Sequence, residues 1–283
     1  MYETLIQAKT LPEAYHQALV ALHDHGIESP CPDYNTTQKE ISATIHITNP
    51  LEEPMISKLF IGGFRELEQY RQEMLDGILD FEIDRGNWNY TYHDRMVNYT
   101  SEHIDQIQFV INELKRNPSS RRAVILIRDA SDIGSSDPAC LQHIQFFIRK
   151  DEYGVDALHC KVLFRSNDAC KAFFMNAFAL ILLQERIANT LNVTMGTYTH
   201  RANSLHCYAR DYKLLEDYVS RIKNDASRID DWENALTYQY IDDWKDLMEE
   251  CQPEIAAAVD TLYHQTTNFD LNTNGGSDFD ARR

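Results

Sequence analysis

Apolar positions recur at three- and four-residue steps through residues 12–25 and again through 64–80, where Phe64, Leu67, Tyr70, Met74 and Leu75 mark one face. Each stretch predicts an amphipathic helix. Between them, Ile41-Ser42-Ala43-Thr44-Ile45-His46-Ile47 alternates apolar with small or polar side chains and stops at Asn49-Pro50, the pattern of a strand ending in a turn. A further helix is expected over about 102–116, with Ser101 as its N-cap and Pro118 just past its end. The middle of the chain is β-prone, with short runs at 123–127, 144–148 and 158–164 that suit neighbouring strands. Residues 169–190 follow, apolar nearly all round through Phe173, Phe174, Met175, Phe178 and Leu180 to Leu183, which predicts a helix central to the core. Lys171 and Asn176 interrupt it, and it falls short of the roughly 20 apolar residues needed to span a bilayer. A strand region over 193–208, an amphipathic helix over about 209–223 and acidic helices to about 263 complete the pattern. With no internal repeat and no dividing linker, the expectation is an α+β fold in a single domain over 1–264. Residues 265–283, rich in Thr, Asn, Asp, Gly and Ser, are expected to be a disordered polar tail, because they bury too little apolar surface to offset their ordering entropy.

Composition narrows the function classes. The 283 residues are 43% hydrophobic and 25% charged, ordinary globular values. Asp and Glu outnumber Lys and Arg 44 to 27, and the net charge of −17 disfavours nucleic acid and anionic membrane as partners. Met1-Tyr2-Glu3-Thr4-Leu5 shows neither a basic nor an apolar leader region, so the expected location is cytoplasmic. Six scattered cysteines, with no CxxC pair, read as reduced thiols and give no support for a metal site.

The sparse positive charge is concentrated at Arg121-Arg122 and at Arg165, where guanidinium forks suit a phosphate or else pair with surface acids. Cys140 follows the turn Asp137-Pro138-Ala139 and precedes a strand. Such a thiol is either a small core hydrophobe or, with a cation such as Arg165 nearby, a nucleophile. Asn176, an amide in an otherwise apolar helix, must find partners. It can close a hydrogen bond within the protein or read the edge of a pyrimidine. His206 and Tyr208 share one face of a strand and suit either core packing or a sugar hydroxyl. Trp88, Tyr90 and Tyr92 form an aromatic cluster ahead of Asp94-Arg95.

Taken in order, these segments resemble the thymidylate synthase family, which includes the pyrimidine-nucleotide hydroxymethylases. His103-Ile104-Asp105-Gln106-Ile107, Leu114-Lys115 and Ser120-Arg121-Arg122 resemble its H-I-D-Q-I, L-K and S-R-R. Pro138-Ala139-Cys140 with Gln145-Phe146 resembles P-x-C-x-x-x-x-Q-F, Arg165-Ser166-Asn167-Asp168 resembles R-S-x-D, and His206-x-Tyr208 resembles H-x-Y. Asn176 stands eleven residues after Arg165, as the family's base-reading Asn does. The match runs through about residues 90–210.

The resemblance implies a central mixed sheet packed by helices, a homodimer formed through that sheet, and one-carbon transfer from 5,10-methylenetetrahydrofolate to C5 of a pyrimidine 5′-monophosphate. It casts Cys140 as the thiolate that adds to C6, Arg165 and Ser166 as phosphate ligands, and Arg121 and Arg122 as phosphate ligands contributed by the second subunit. Asn176 would read the base, His206 and Tyr208 the ribose, and Asp168 the pterin. Trp88 would stack on folate, and Tyr92 would assist removal of the C5 proton. The family's helical glutamate is placed at Glu73, with Glu66 next.

The sequence departs from the family pattern at several positions. Leu141 stands where most members have His, Lys171-Ala172 replaces Leu-Gly, and Ser204 stands where Asp is common. The first arginine is Arg65, with Lys39 a weak substitute for an N-terminal phosphate Arg, and Phe279-Asp280-Ala281-Arg282-Arg283 is unlike the family's apolar end. These departures mark a divergent branch, which resembles archaeal-type and biosynthetic homologues more than the common bacterial enzyme. The product expected is dTMP from dUMP. The alternative is hydroxymethylation of dCMP, CMP or dUMP, with water in place of hydride, and a non-catalytic nucleotide- or RNA-binding homologue is a third reading.

Overall fold

The computed structural model describes residues 1–151, 153–224, 234–238 and 241–264, so the tail expected over 265–283 lies outside the described residues. Its strands are β1 (Glu3–Ala8), β2 (Ile27–Cys31), β3 (Thr36–Ile47), β4 (Ile56–Ser57), β5 (Val124–Leu126), β6 (Leu141–Lys150), β7 (Asp156–Phe164), β8 (Asn167–Asp168), β9 (Thr194–Tyr208) and β10 (Thr237–Tyr238). Its helices are α1 (Leu11–His25), α2 (Phe64–Leu75), α3 (Phe81–Asp84), α4 (Tyr92–Val97), α5 (Gln106–Arg116), α6 (Phe173–Leu191), α7 (Tyr212–Asn224) and α8 (Ile241–His264).

The main sheet runs β1-β3-β9-β7-β6-β5, with β2 beside β3 and β8 beside β9. It is mixed: β1 with β3 and β7 with β9 are parallel, whereas β3 with β9, β6 with β7 and β5 with β6 are antiparallel. The class is α+β with helices packed on the sheet. Ile41, Ala43, Ile45 and Ile47 of β3 and Tyr198, His200 and Ala202 of β9 are buried on the helix side, as the two-residue period demands. On the other face His46 meets Thr199 at 3.0 Å and His159 meets Thr197 at 3.0 Å.

α6 is central, as expected. Phe173, Phe174, Phe178, Leu180 and Ile181 are fully or almost fully buried, each stabilising the fold by about 1.5–3 kcal/mol. Its chain reverses at Asn192, which takes the left-handed conformation (φ 54°) that ends many helices.

Two expectations need correction. The helix expected over 102–116 begins later, at Gln106, because Asp105 and not Ser101 caps it, accepting from the Gln108 amide at 2.8 Å. Gln106 then clamps the helix to β5, donating to the Leu126 carbonyl at 2.7 Å and accepting from the Leu126 amide at 2.9 Å. The periodic stretch 64–80 breaks after Leu75, since Gly77 turns the chain at φ +65°. A Cβ on Gly77 would lie 2.3 Å from His93 Nδ1 and 2.5 Å from Asp80 Oδ2. That close approach lets Asp80 hold both His93 (2.6 Å) and Thr91 (2.5 Å), and Thr91 caps α4, whose first residue is Tyr92.

Candidate active site

The site is assembled where β6 begins and β7 ends. Cys140 sits just ahead of β6, and the Arg165 amide, just past β7, donates to its carbonyl at 2.8 Å. The Arg165 guanidinium braces the same turn, Nε donating to the Ala139 carbonyl at 3.1 Å and Nη2 to that of Pro138 at 2.7 Å. Gln142 adds a 2.7 Å bond from Nε2 to the Ala139 carbonyl. The Leu141 amide donates to the Tyr92 hydroxyl at 3.3 Å. Leu141, the residue that departs from the family pattern, is itself fully buried.

Burial pushes the Cys140 thiol up, and the Arg165 cation beside it works in the opposite direction. Alkylation of Cys140 by iodoacetamide, followed on its peptide by mass spectrometry, is expected to rise with pH to a midpoint above that of an ordinary thiol. The midpoint should climb further in Arg165→Ala, because losing a cation disfavours the thiolate; a midpoint that falls would contradict this geometry. Burial also raises the Tyr92 phenol well above its usual value, so it keeps its proton at neutral pH. It therefore acts through hydrogen bonds and not as a free phenolate.

Past Arg165 the chain runs parallel to β9, pairing Asp168 with His206. Asp168 is buried, and its Oδ1 accepts from the amides of Cys170 (2.9 Å) and Lys171 (3.0 Å). Burial raises its carboxyl, with His206 opposing the shift. His206 Nδ1 lies 3.4 Å from Ser166 Oγ and 3.5 Å from the Ser204 carbonyl. Burial lowers its pKa, which favours neutral imidazole, and Nε2 is buried without a hydrogen-bond partner among the described residues. Tyr208 packs edge-on against His206 with ring centroids 4.8 Å apart. Asn176, in the first turn of α6, is 3% exposed and accepts at Oδ1 from the Tyr70 hydroxyl of α2.

Cys140, Arg165, Ser166, Asp168, His206 and Tyr92 are therefore joined by contacts around adjacent strand ends, Tyr208 extends the group, and Asn176 approaches it through Tyr70, which lies near enough to Tyr92 to act on its phenol. Other expected residues fall elsewhere. Arg121 and Arg122 are exposed, ahead of β5, beside Glu113, Arg116 and Ser119; among the described residues neither guanidinium donates a hydrogen bond. Trp88 is half-buried in the loop between α3 and α4. Glu73 accepts from Gln69 of its own helix at 2.8 Å, and Glu66 caps that helix by accepting the Gly63 amide at 2.8 Å. The α2 side chain that reaches Asn176 is Tyr70, a residue not among the expected site residues. Its periodicity marked Tyr70 as core; the signal was a phenolic hydroxyl on a buried face, which needs a partner.

The family model described as thymidylate synthase matches residues 62–252, well over half of the chain. The chain belongs to the thymidylate synthase family. Within that family it is 37% identical over 197 residues, 66% of this chain and 83% of the other, to a Methanocaldococcus jannaschii protein described as "Putative thymidylate synthase". A Methanosarcina mazei protein of the same description is 29% identical over 221 residues, covering 77% of this chain and 95% of that one. The solved thermostable thymidylate synthase A from Bacillus subtilis superposes with a TM-score of 0.59 over 75% of this chain and 85% of its own, at 16% identity, a likeness of fold. Thymidylate synthase relatives thus extend from archaea to Bacillus.

Proposed function

We propose that the protein transfers a one-carbon unit from 5,10-methylenetetrahydrofolate to C5 of dUMP, giving dTMP. The observation that carries this reading is the Cys140 turn braced by Arg165. One guanidinium fixes the thiol's backbone and biases it toward thiolate, and among the described residues its Nη1 makes no hydrogen bond and is left for a phosphate. Ser166 would add a hydroxyl to that phosphate, and the Cys140 thiolate would add to C6, making C5 nucleophilic. Asn176 would read the base. His206, with Nδ1 toward the Ser204 carbonyl, offers the lone pair of Nε2 to a ribose hydroxyl beside Tyr208. Tyr92, protonated and held near Cys140, would orient the group that accepts the C5 proton.

The donor set fits a pterin. Asp168 Oδ2 makes no hydrogen bond among the described residues and sits in a buried carboxyl group, an acceptor suited to ring N–H groups, while Trp88 offers a half-buried ring for stacking. The folate supplies the carbon and the hydride, and these residues hold and orient it.

The protein would act in the cytoplasm as a homodimer joined through the sheet face that carries His46, His159, Thr197 and Thr199. The free guanidiniums of Arg121 and Arg122 would then serve the partner's phosphate site. Among the described residues no helix is long and apolar enough to cross a membrane.

Exchanging Asn176 for Asp tests the base assignment. A carboxylate there accepts from the cytosine 4-amine and repels the uracil O4, so kcat/KM for dCMP relative to dUMP should rise at least about tenfold. An unchanged ratio would mean that another residue reads the base.

A further inference from the structure

Tyr70 is 3% exposed, as is Asn176, and the phenol donates to Asn176 Oδ1 across the α2–α6 contact. This is the single hydrogen bond of the Asn176 side chain among the described residues, so Nδ2 is the end of the amide left for a ligand. A carboxamide in a base site has two opposite readings, since turning it over exchanges its donor for its acceptor.

We propose that Tyr70 sets the base preference of the site by locking the Asn176 amide in one orientation, so that a 4-oxopyrimidine is accepted and a 4-aminopyrimidine refused. The inference rests on the reading that Asn176 faces the base. With Oδ1 held by the Tyr70 hydroxyl, Nδ2 donates to O4 of uracil, and the second lone pair of Oδ1 remains for the N3–H. Cytosine meets the same amide with two mismatches: its 4-amine faces the Nδ2 donor, and its N3 lone pair faces Oδ1. To admit cytosine the amide must turn over, which brings Nδ2 against the phenol. Tyr70 would then have to accept through an oxygen whose lone pair is drawn into the ring, a poorer bond than the one given up. Neither residue can retreat to water, because both are buried. Tyr70 is thus a positioning residue that acts through Asn176.

Calorimetric titration of the intact protein and of Tyr70→Phe with dUMP and with dCMP tests this. The wild type should prefer dUMP, and the variant should narrow that preference about tenfold, chiefly through tighter dCMP binding. A purely structural role would weaken both ligands alike, so an unchanged ratio overturns the inference. A wild type that prefers dCMP also overturns it while leaving a pyrimidine nucleotide site standing. Binding of neither nucleotide overturns the proposed function and this inference together. Should Tyr70→Phe not fold, a neutron structure of the wild type with dUMP decides the matter: the phenolic hydrogen on Oδ1 and the NH2 toward O4 support it, and a reversed amide refutes it.

Discussion

Replacing Cys140 with alanine or serine is expected to lower turnover at least about 10³-fold and to remove any covalent nucleotide adduct, with the fold retained. The thiol makes none of the hydrogen bonds that hold its turn. Those run through the carbonyls of Pro138, Ala139 and Cys140 and the amide of Leu141, all of which survive the substitution. Serine keeps the shape, but its hydroxyl stays protonated beside Arg165, where a thiol can ionise. Initial rates together with intact-protein mass spectrometry after incubation with nucleotide and folate measure both effects. Retained turnover in either variant would remove Cys140 from the chemistry.

Substituting Arg165 by alanine should be nearly as severe, about 10²–10⁴-fold in kcat/KM, because one side chain serves three ends. It donates charge-assisted bonds to two carbonyls of the Cys140 turn, it favours the thiolate, and in the proposed function it would hold the nucleotide phosphate. Lysine separates these contributions. It keeps the positive charge but cannot fork between Pro138 and Ala139, so Arg165→Lys should recover nucleotide KM more than kcat. Steady-state kinetics with varied dUMP check this. Equal recovery of both parameters would show that the brace on the turn does not matter.

Much of the architecture was legible because periodicity reports burial. The all-apolar α6 and the alternation along β3 were read directly, and the structure buries those positions. β2 leaves no such signal, because Ile27-Glu28-Ser29-Pro30-Cys31 has no clean alternation and contains a proline, which an edge strand beside β3 tolerates. The start of α5 differs from the expected one because Thr100 and His103 both adopt positive φ, and that turn delays the helix to the next capping side chain, Asp105.

The grouping of the candidate residues was legible along the chain wherever motif and strand end coincide: Cys140, Arg165, Ser166, Asp168 and His206 lie within a few residues of β6, β7, β8 and β9. Tyr70 was not, because its partner Asn176 is 106 residues away and only tertiary packing joins them. The phosphate role proposed for Arg121 and Arg122 would need a second chain, since in this one they lie beside Glu113, Arg116 and Ser119 and not beside Cys140.

The most direct test is to incubate the purified protein with 5,10-methylenetetrahydrofolate and dUMP, UMP, dCMP or CMP in parallel, and to quantify nucleotide products and dihydrofolate in the same samples. A methylated nucleotide in the dUMP sample, matched mole for mole by dihydrofolate, is the predicted result. A hydroxymethylated nucleotide without dihydrofolate, or product only from a cytosine nucleotide, would contradict it.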